Sequence, residues 1–139
     1  MDAFDFSRLG VFIVEDNPYV RETLESLLRH FRFGRIAVAS NGEEAIDYMK
    51  SLGSASSIIA PDIVMSDLVM TPINGLLFLR WMRTAKESSN RMTPYIMLSG
   101  AADGAYVNSA RDLGVTDFLA KPFSAASVYR HLIKVIEAP

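Results

Sequence analysis

The 139-residue chain contains no cysteine. Disulfides, thiol catalysis and thiolate metal sites are thereby excluded, and the absence fits a reducing compartment. An excess of charge is missing too: 14 Lys and Arg stand against 16 Asp and Glu, a formal charge of −2. So weak a balance argues neither for a nucleic-acid binder nor for a membrane-surface protein, and neither nucleic acid nor membrane is an expected direct partner. No apolar run approaches the roughly 20 residues of a membrane span. The opening MDAFDFSRLG carries acids and no long apolar stretch, so it is not a secretory signal. These absences give the cytoplasm as the expected location. Linkers, internal repeats and low-complexity tracts are also lacking. What remains is one ordinary domain, residues 1–139 with a core from about 8 to 136. A chain of this size buries roughly two-thirds of its unfolded surface and needs no staple.

What is present is an alternation of short apolar runs and longer amphipathic segments. Val11–Val14 reads as strand one, followed by Glu15, Asp16, the N-cap Asn17 and Pro18 at the first helical position. Val20, Leu24, Leu27, Leu28 and Phe31 then recur at helical spacing, and Gly34 is expected to stop helix one. Arg35–Ala39 is strand two. Helix two opens at Ser40–Glu43 and ends near Gly53, before a small-residue loop over 54–60. Strand three is Ile63–Ser66, ending at Asp67, and helix three spans Asn74 to Ala85. Strand four is Tyr95–Leu98. Helix four lies within Asp103–Leu113 and is stopped by Gly114. Strand five is Thr116–Ala120, and helix five runs from about Ser124 to Ile136. Five β-α repeats imply a parallel sheet covered on both faces, with right-handed crossovers. The expected fold is a doubly wound α/β sandwich of flavodoxin-like type, with strand order 2-1-3-4-5.

In such folds the chemistry lies beyond the carboxyl ends of the strands. Strand one is followed there by Glu15 and Asp16, strand three by Asp67, strand four by Ser99-Gly100 and strand five by Lys121-Pro122. Strands one, three, four and five are neighbours in the predicted order, so these groups converge. Three carboxylates repel one another until a proton or cation intervenes. A hard divalent ion with oxygen ligands resolves the conflict, and Mg²⁺ is the usual choice beside phosphate. Lys121 supplies a compact positive charge and Ser99 a hydroxyl. Nucleophile, metal, cation and hydroxyl are the parts of phosphoryl transfer to a carboxylate. Each residue alone has a plainer reading as a turn, cap or surface group. The weight lies in their joint occurrence at four converging strand ends, with none at the edge strand two.

The segments VFIVEDN, NGEEAIDYM, PDIVMSDLVMTPINGLLFLR, YIMLSG and ARDLGVTDFLAKPF, in this order, closely resemble the response-regulator receiver domains of two-component and phosphorelay signalling. The resemblance covers nearly the whole chain. It implies that Glu15 and Asp16 hold Mg²⁺ together with Asp67 and the backbone carbonyl of Val69. It implies that Asp67 is the phosphoacceptor, Ser99 and Lys121 its partners, and Ser99 with Phe118 the switch pair. It implies a glycine, Gly75, at the start of helix three and a cis Lys121-Pro122 bond. The implied partners are a histidine kinase or histidine phosphotransfer protein and a downstream target. The implied function is a phosphorylation switch that assists its own phosphorylation and dephosphorylation, not a conventional enzyme.

Three features depart from the family pattern. Thr71 stands where the family often has proline, with Pro72 following; Phe118 lacks the hydroxyl of the commoner tyrosine; and the 51–60 loop is longer than usual. A Mg²⁺-dependent phosphatase with an aspartyl nucleophile is the rival from another class. It needs a second acid close after the nucleophile, where this chain has Leu68-Val69. A flavodoxin-like binding module without covalent chemistry has no need of Lys121 opposite three carboxylates. His30 and His131 read as ordinary helix residues, and Trp81 as core. No segment after helix five suggests an output domain, and Met1 favours a stand-alone or N-terminal receiver.

Overall fold

The computed structural model describes residues 4–52 and 59–137. The expected alternation is present: β1 Gly10–Val14, α1 Pro18–His30, β2 Arg35–Ala39, α2 Gly42–Leu52, β3 Ile63–Asp67, α3 Gly75–Thr84, β4 Tyr95–Ser99, α4 Val107–Asp112, β5 Asp117–Ala120 and α5 Ala125–Glu137. The five strands form one parallel sheet in the order β2-β1-β3-β4-β5. The predicted loop over 54–60 and the end of helix two near Gly53 lie largely outside the described residues. Among those described, no helix is long and apolar enough to cross a membrane.

Side chains alternate between the two faces of each strand, so one sheet feeds two cores. On one face Val11, Ile13, Ile63, Met65, Ile96, Leu98 and Leu119 meet Leu24 and Leu28 of α1 and Val128, Leu132 and Val135 of α5. On the other Phe12, Val14, Val64, Tyr95 and Met97 meet α2, α3 and α4. The three central strands are buried along almost their whole length. That is why they read in the sequence as continuous apolar runs and not as alternating ones.

The helix starts follow their capping residues. The Asn17 side chain accepts from Tyr19 N at 2.9 Å and Val20 N at 3.2 Å. Asn74 accepts from Leu77 N at 2.9 Å. Asn41 accepts from Glu44 N at 2.9 Å, while the Glu44 carboxylate accepts from Ser40 N at 3.0 Å. One helix expectation needs correction. Gly34 does not stop helix one; the left-handed residue is Arg32, at φ 67°, and Phe33 N closes the end on Leu28 O at 3.2 Å. Gly34 is needed for close approach instead, since a Cβ there would lie 2.1 Å from Ser7 O. Helix four lies within Asp103–Leu113 as expected, behind a 3-10 segment. Residues Ala101–Tyr106 form a 3-10 segment and only Val107–Asp112 is α-helical. The segment is fastened at its start by Gly100 N donating to the Asp103 carboxylate at 2.7 Å. Gly114, at φ 89°, ends it as expected.

Candidate functional site

β1 delivers Glu15 and Asp16 to the carboxyl edge of the sheet. Glu15 N donates to Ala39 O at 3.1 Å, which continues the pairing by one residue, and Arg21 Nη1 donates to Glu15 O at 2.9 Å. Glu15 is fully buried and Asp16 exposed. β3 delivers Asp67, also buried. Its Oδ1 accepts from Leu68 N at 2.8 Å, and its carbonyl accepts from the Ser66 hydroxyl at 3.0 Å. α3 begins directly against it: a Cβ on Gly75 would sit 2.2 Å from Asp67 O, so this helix start requires glycine. β5 delivers Lys121, whose N donates to Ser99 O at 2.8 Å. The Lys121-Pro122 bond is cis, as the resemblance implied, and Thr71-Pro72 is cis as well.

These placements bring four predicted residues together. Lys121 Nζ lies 2.9 Å from Asp67 Oδ1 and 3.2 Å from Glu15 Oε1. Glu15, Asp16 and Asp67 each offer a carboxylate oxygen, all within 4.8 Å of one another. Ser99 ends β4 half-buried, one residue beyond the Leu98 that pairs with Asp67. Val69 is two residues past Asp67, its side chain 62% exposed between the buried anchors Leu68 and Met70. Phe118 pairs with Met97 across the sheet and packs half-buried against the α2–α3–α4 core. By alternation it shares a sheet face with Ser99.

The electrostatics show an undercompensated anionic site. Burial, reinforced by the hydrogen bond and charge of Asp67, pushes the Glu15 carboxyl up to about 7 against the opposing pull of Lys121. Burial pulls the Lys121 ammonium down, but its contacts with Asp67 and Glu15 outweigh this and leave it above its ordinary value. One lysine therefore does not neutralise three carboxylates. The donor set is all oxygen, closely spaced and short of positive charge, which fits a hard divalent cation.

Three further groups of contacts were not anticipated. Arg21 steadies Glu15 with no marker in the sequence beyond a basic residue in the first turns of helix one. His131 Nδ1 lies 2.6 Å from Asp117 Oδ2, and Lys134 Nζ 3.5 Å from Asp117 Oδ1. The basic pair at i, i+3 opposite the start of a strand was the available signal. The third is Tyr95, whose polar tip in a buried strand called for a partner.

Residues 11–133 match the response regulator receiver domain family. The chain belongs to that family. It is 34% identical over 116 residues to protein-glutamate methylesterase/protein-glutamine glutaminase 1 of Myxococcus xanthus, covering 82% of this chain and 30% of that one. It is 27% identical over 137 residues to chemotaxis protein CheY-3 of Vibrio cholerae, covering 99% of this chain and 98% of that one. The chain thus spans under a third of the first relative and nearly all of the second. Its fold matches the crystal structure of the receiver domain of a Pseudomonas aeruginosa sensor histidine kinase with a TM-score of 0.78 at 24% identity, covering 94% of this chain and 99% of that one. That structure holds a magnesium ion in its active-site cleft. The response-regulator receiver is a signalling module of two-component systems, and this chain has its five-stranded parallel sheet and helices on both faces.

Proposed function

We propose that residues 1–139 are a single receiver domain in which Asp67 accepts a phosphoryl group from a histidine kinase or histidine phosphotransfer protein. The observation that carries the proposal is the Asp67 carboxylate itself. It is buried at the end of β3, held on Oδ1 by Lys121 Nζ at 2.9 Å and Leu68 N at 2.8 Å, and flanked by Glu15 and Asp16. The two donors fix the carboxylate plane before the phosphoryl group arrives. An Asp67 oxygen attacks phosphorus, the P–N bond of the donor phosphohistidine breaks, and the electron pair leaves on the imidazole. Lys121 is placed to follow the transferred group and pair with its oxygens. The Ser99 hydroxyl donates to another of them from the end of β4.

Mg²⁺ is the expected cofactor, held by Glu15, Asp16, Asp67 and the Val69 carbonyl; when bound it neutralises charge on the transferring phosphoryl group. The magnesium ion coordinated in the active-site cleft of the Pseudomonas domain supports this, as does the oxygen-only donor set. The domain assists its own phosphorylation and dephosphorylation and is not a conventional enzyme. The phosphorylated form changes its binding to a downstream target protein through the face formed by α4, β5 and α5. Nucleic acid is not a direct partner. Incubation with a small acyl phosphate and Mg²⁺, followed by intact mass measurement, should add one phosphoryl group to the wild type and none to Asp67→Asn. Wild-type phosphorylation of Asp67→Asn overturns the assignment.

A further inference from the structure

Tyr95 opens β4 and is fully buried. A phenol sealed in an apolar core needs a hydrogen-bond partner. Its hydroxyl donates to the carbonyl of Gly75 at 3.1 Å. The Ser66 hydroxyl lies beside it and donates to the Asp67 carbonyl at 3.0 Å. The register explains the convergence. Tyr95 pairs with Val64 and Ser66 with Met97, so Tyr95 and Ser66 project on the same face, the one that α3 covers. The ring packs against Phe78 of α3 at 5.8 Å between centroids. Burial raises the phenol above its ordinary range, so it remains a donor at working pH.

Both ends of this network reach the backbone around the acceptor. Gly75 N donates to Leu68 O at 2.9 Å, closing the 68–74 loop. Gly75 also presses on the Asp67 carbonyl more closely than any side chain allows. A purely apolar residue could fill the volume of the Tyr95 ring, so the hydroxyl serves the connection and not the packing. We infer that Tyr95 is a positioning residue for the acceptor site: through Gly75 and Ser66 it fixes the Asp67 backbone and the loop carrying Val69. This rests on the reading of Asp67 as the phosphoacceptor. Tyr95 touches no reacting atom and acts only through these two backbone-linked contacts.

The test uses the whole chain, with Tyr95→Phe to remove the hydroxyl alone and Ser66→Ala as the second variant. Three quantities are measured: amide exchange at Gly75 without ligands, Mg²⁺ affinity by calorimetry, and the rate of phosphorylation by acetyl phosphate. In Tyr95→Phe the Gly75 amide should exchange about fivefold faster, the equivalent of one lost hydrogen bond of about 1 kcal/mol. Mg²⁺ affinity and the maximal phosphorylation rate should fall by a similar factor. The half-saturating acetyl phosphate concentration should stay unchanged, because the donor does not meet Tyr95. Ser66→Ala should move the same quantities in the same direction. A wild type that is not phosphorylated sinks the acceptor reading, while exchange and Mg²⁺ binding still decide the role of Tyr95. Unchanged exchange at Gly75 and unchanged Mg²⁺ affinity in Tyr95→Phe overturn the inference.

Discussion

Glu15 and Asp16 are consecutive carboxylates with opposite surroundings. Glu15 is sealed under the sheet edge and bonded to Lys121, whereas Asp16 is exposed. Exposure costs Asp16 little as an anion, so it contributes little to the fold and is free to serve a metal from the solvent side. Asp16→Ala should therefore weaken Mg²⁺ binding roughly tenfold or more, since even outer-sphere losses reach that size. Its stability should stay within about 0.5 kcal/mol of wild type. Calorimetric Mg²⁺ titration and urea unfolding of the same variant check both halves, and unchanged affinity counts against the site. Residue identity made this cluster legible, because acids and a lysine at converging strand ends have few other uses in common. The partners that support them were less legible. Arg21 reaches Glu15 through its backbone carbonyl, and a side-chain-to-backbone contact leaves no pairing in the sequence to read.

At the scale of elements, the strands were legible because the buried central ones are short apolar runs, and the helix starts because Asn17, Asn41 and Asn74 are capping residues. The end of helix one was not. Gly34 was read as the stop of helix one because glycine adopts positive φ cheaply, yet the chain places Arg32 there and uses Gly34 to pass Ser7. The competing requirement, close backbone approach from a distant segment, is tertiary and absent from the local pattern. Arg32 at φ 67° carries steric strain of about 1 kcal/mol. Arg32→Gly should relieve it and raise stability by about 0.5 kcal/mol after the entropy cost of glycine, read as a higher urea midpoint. A lower midpoint would mean that the Arg32 side chain contributes more than its backbone loses. The 3-10 segment before helix four has a local origin instead, since Asp103 ties Gly100 three residues before it.

The proposed Ser99–Phe118 coupling belongs to this scale as well. Ser99 and Phe118 occupy neighbouring strands and one sheet face, with Met97 between them. A phosphoryl group on Asp67 carries strong acceptor oxygens and should draw the Ser99 hydroxyl inward. The half-buried Phe118 ring can then move further into the α4-side core, and it has no hydroxyl to desolvate. To invert a 1:99 population the phosphoryl group must supply about 5.5 kcal/mol of differential stabilisation. Fluorine NMR on labelled Phe118 should show a shifted ring environment with a phosphoryl mimic, and Ser99→Ala should suppress the response. A ring signal indifferent to the mimic removes the coupling.

For the whole molecule, the metal-free site is a source of instability that a bound divalent cation should correct. Glu15 titrates at about 7 in the folded chain because burial and Asp67 disfavour its charge, against an ordinary carboxyl near 4.3 in the unfolded chain. Between these values the folded state holds a proton that the unfolded state lacks. A raised folded value means stability that is fully present below the unfolded value and lost as pH rises through the folded one. Metal-free protein should thus lose stability from about pH 4 to pH 7, by at most about 4 kcal/mol from this group. The raised value of Lys121 acts in the same sense but only at far higher pH. A metal at Glu15, Asp16 and Asp67 requires the deprotonated carboxylates, so its binding strengthens over the same interval. Saturating Mg²⁺ should add little stability at pH 5 and most at pH 8, flattening or reversing the profile. Urea unfolding at pH 5, 6, 7 and 8, with and without Mg²⁺, measures this directly. Glu15→Gln keeps the shape and removes the titration, so its metal-free profile should be flatter than that of the wild type, isolating this carboxyl from every other titrating group. Parallel profiles for wild type and Glu15→Gln would show that Glu15 does not hold its proton in the folded chain.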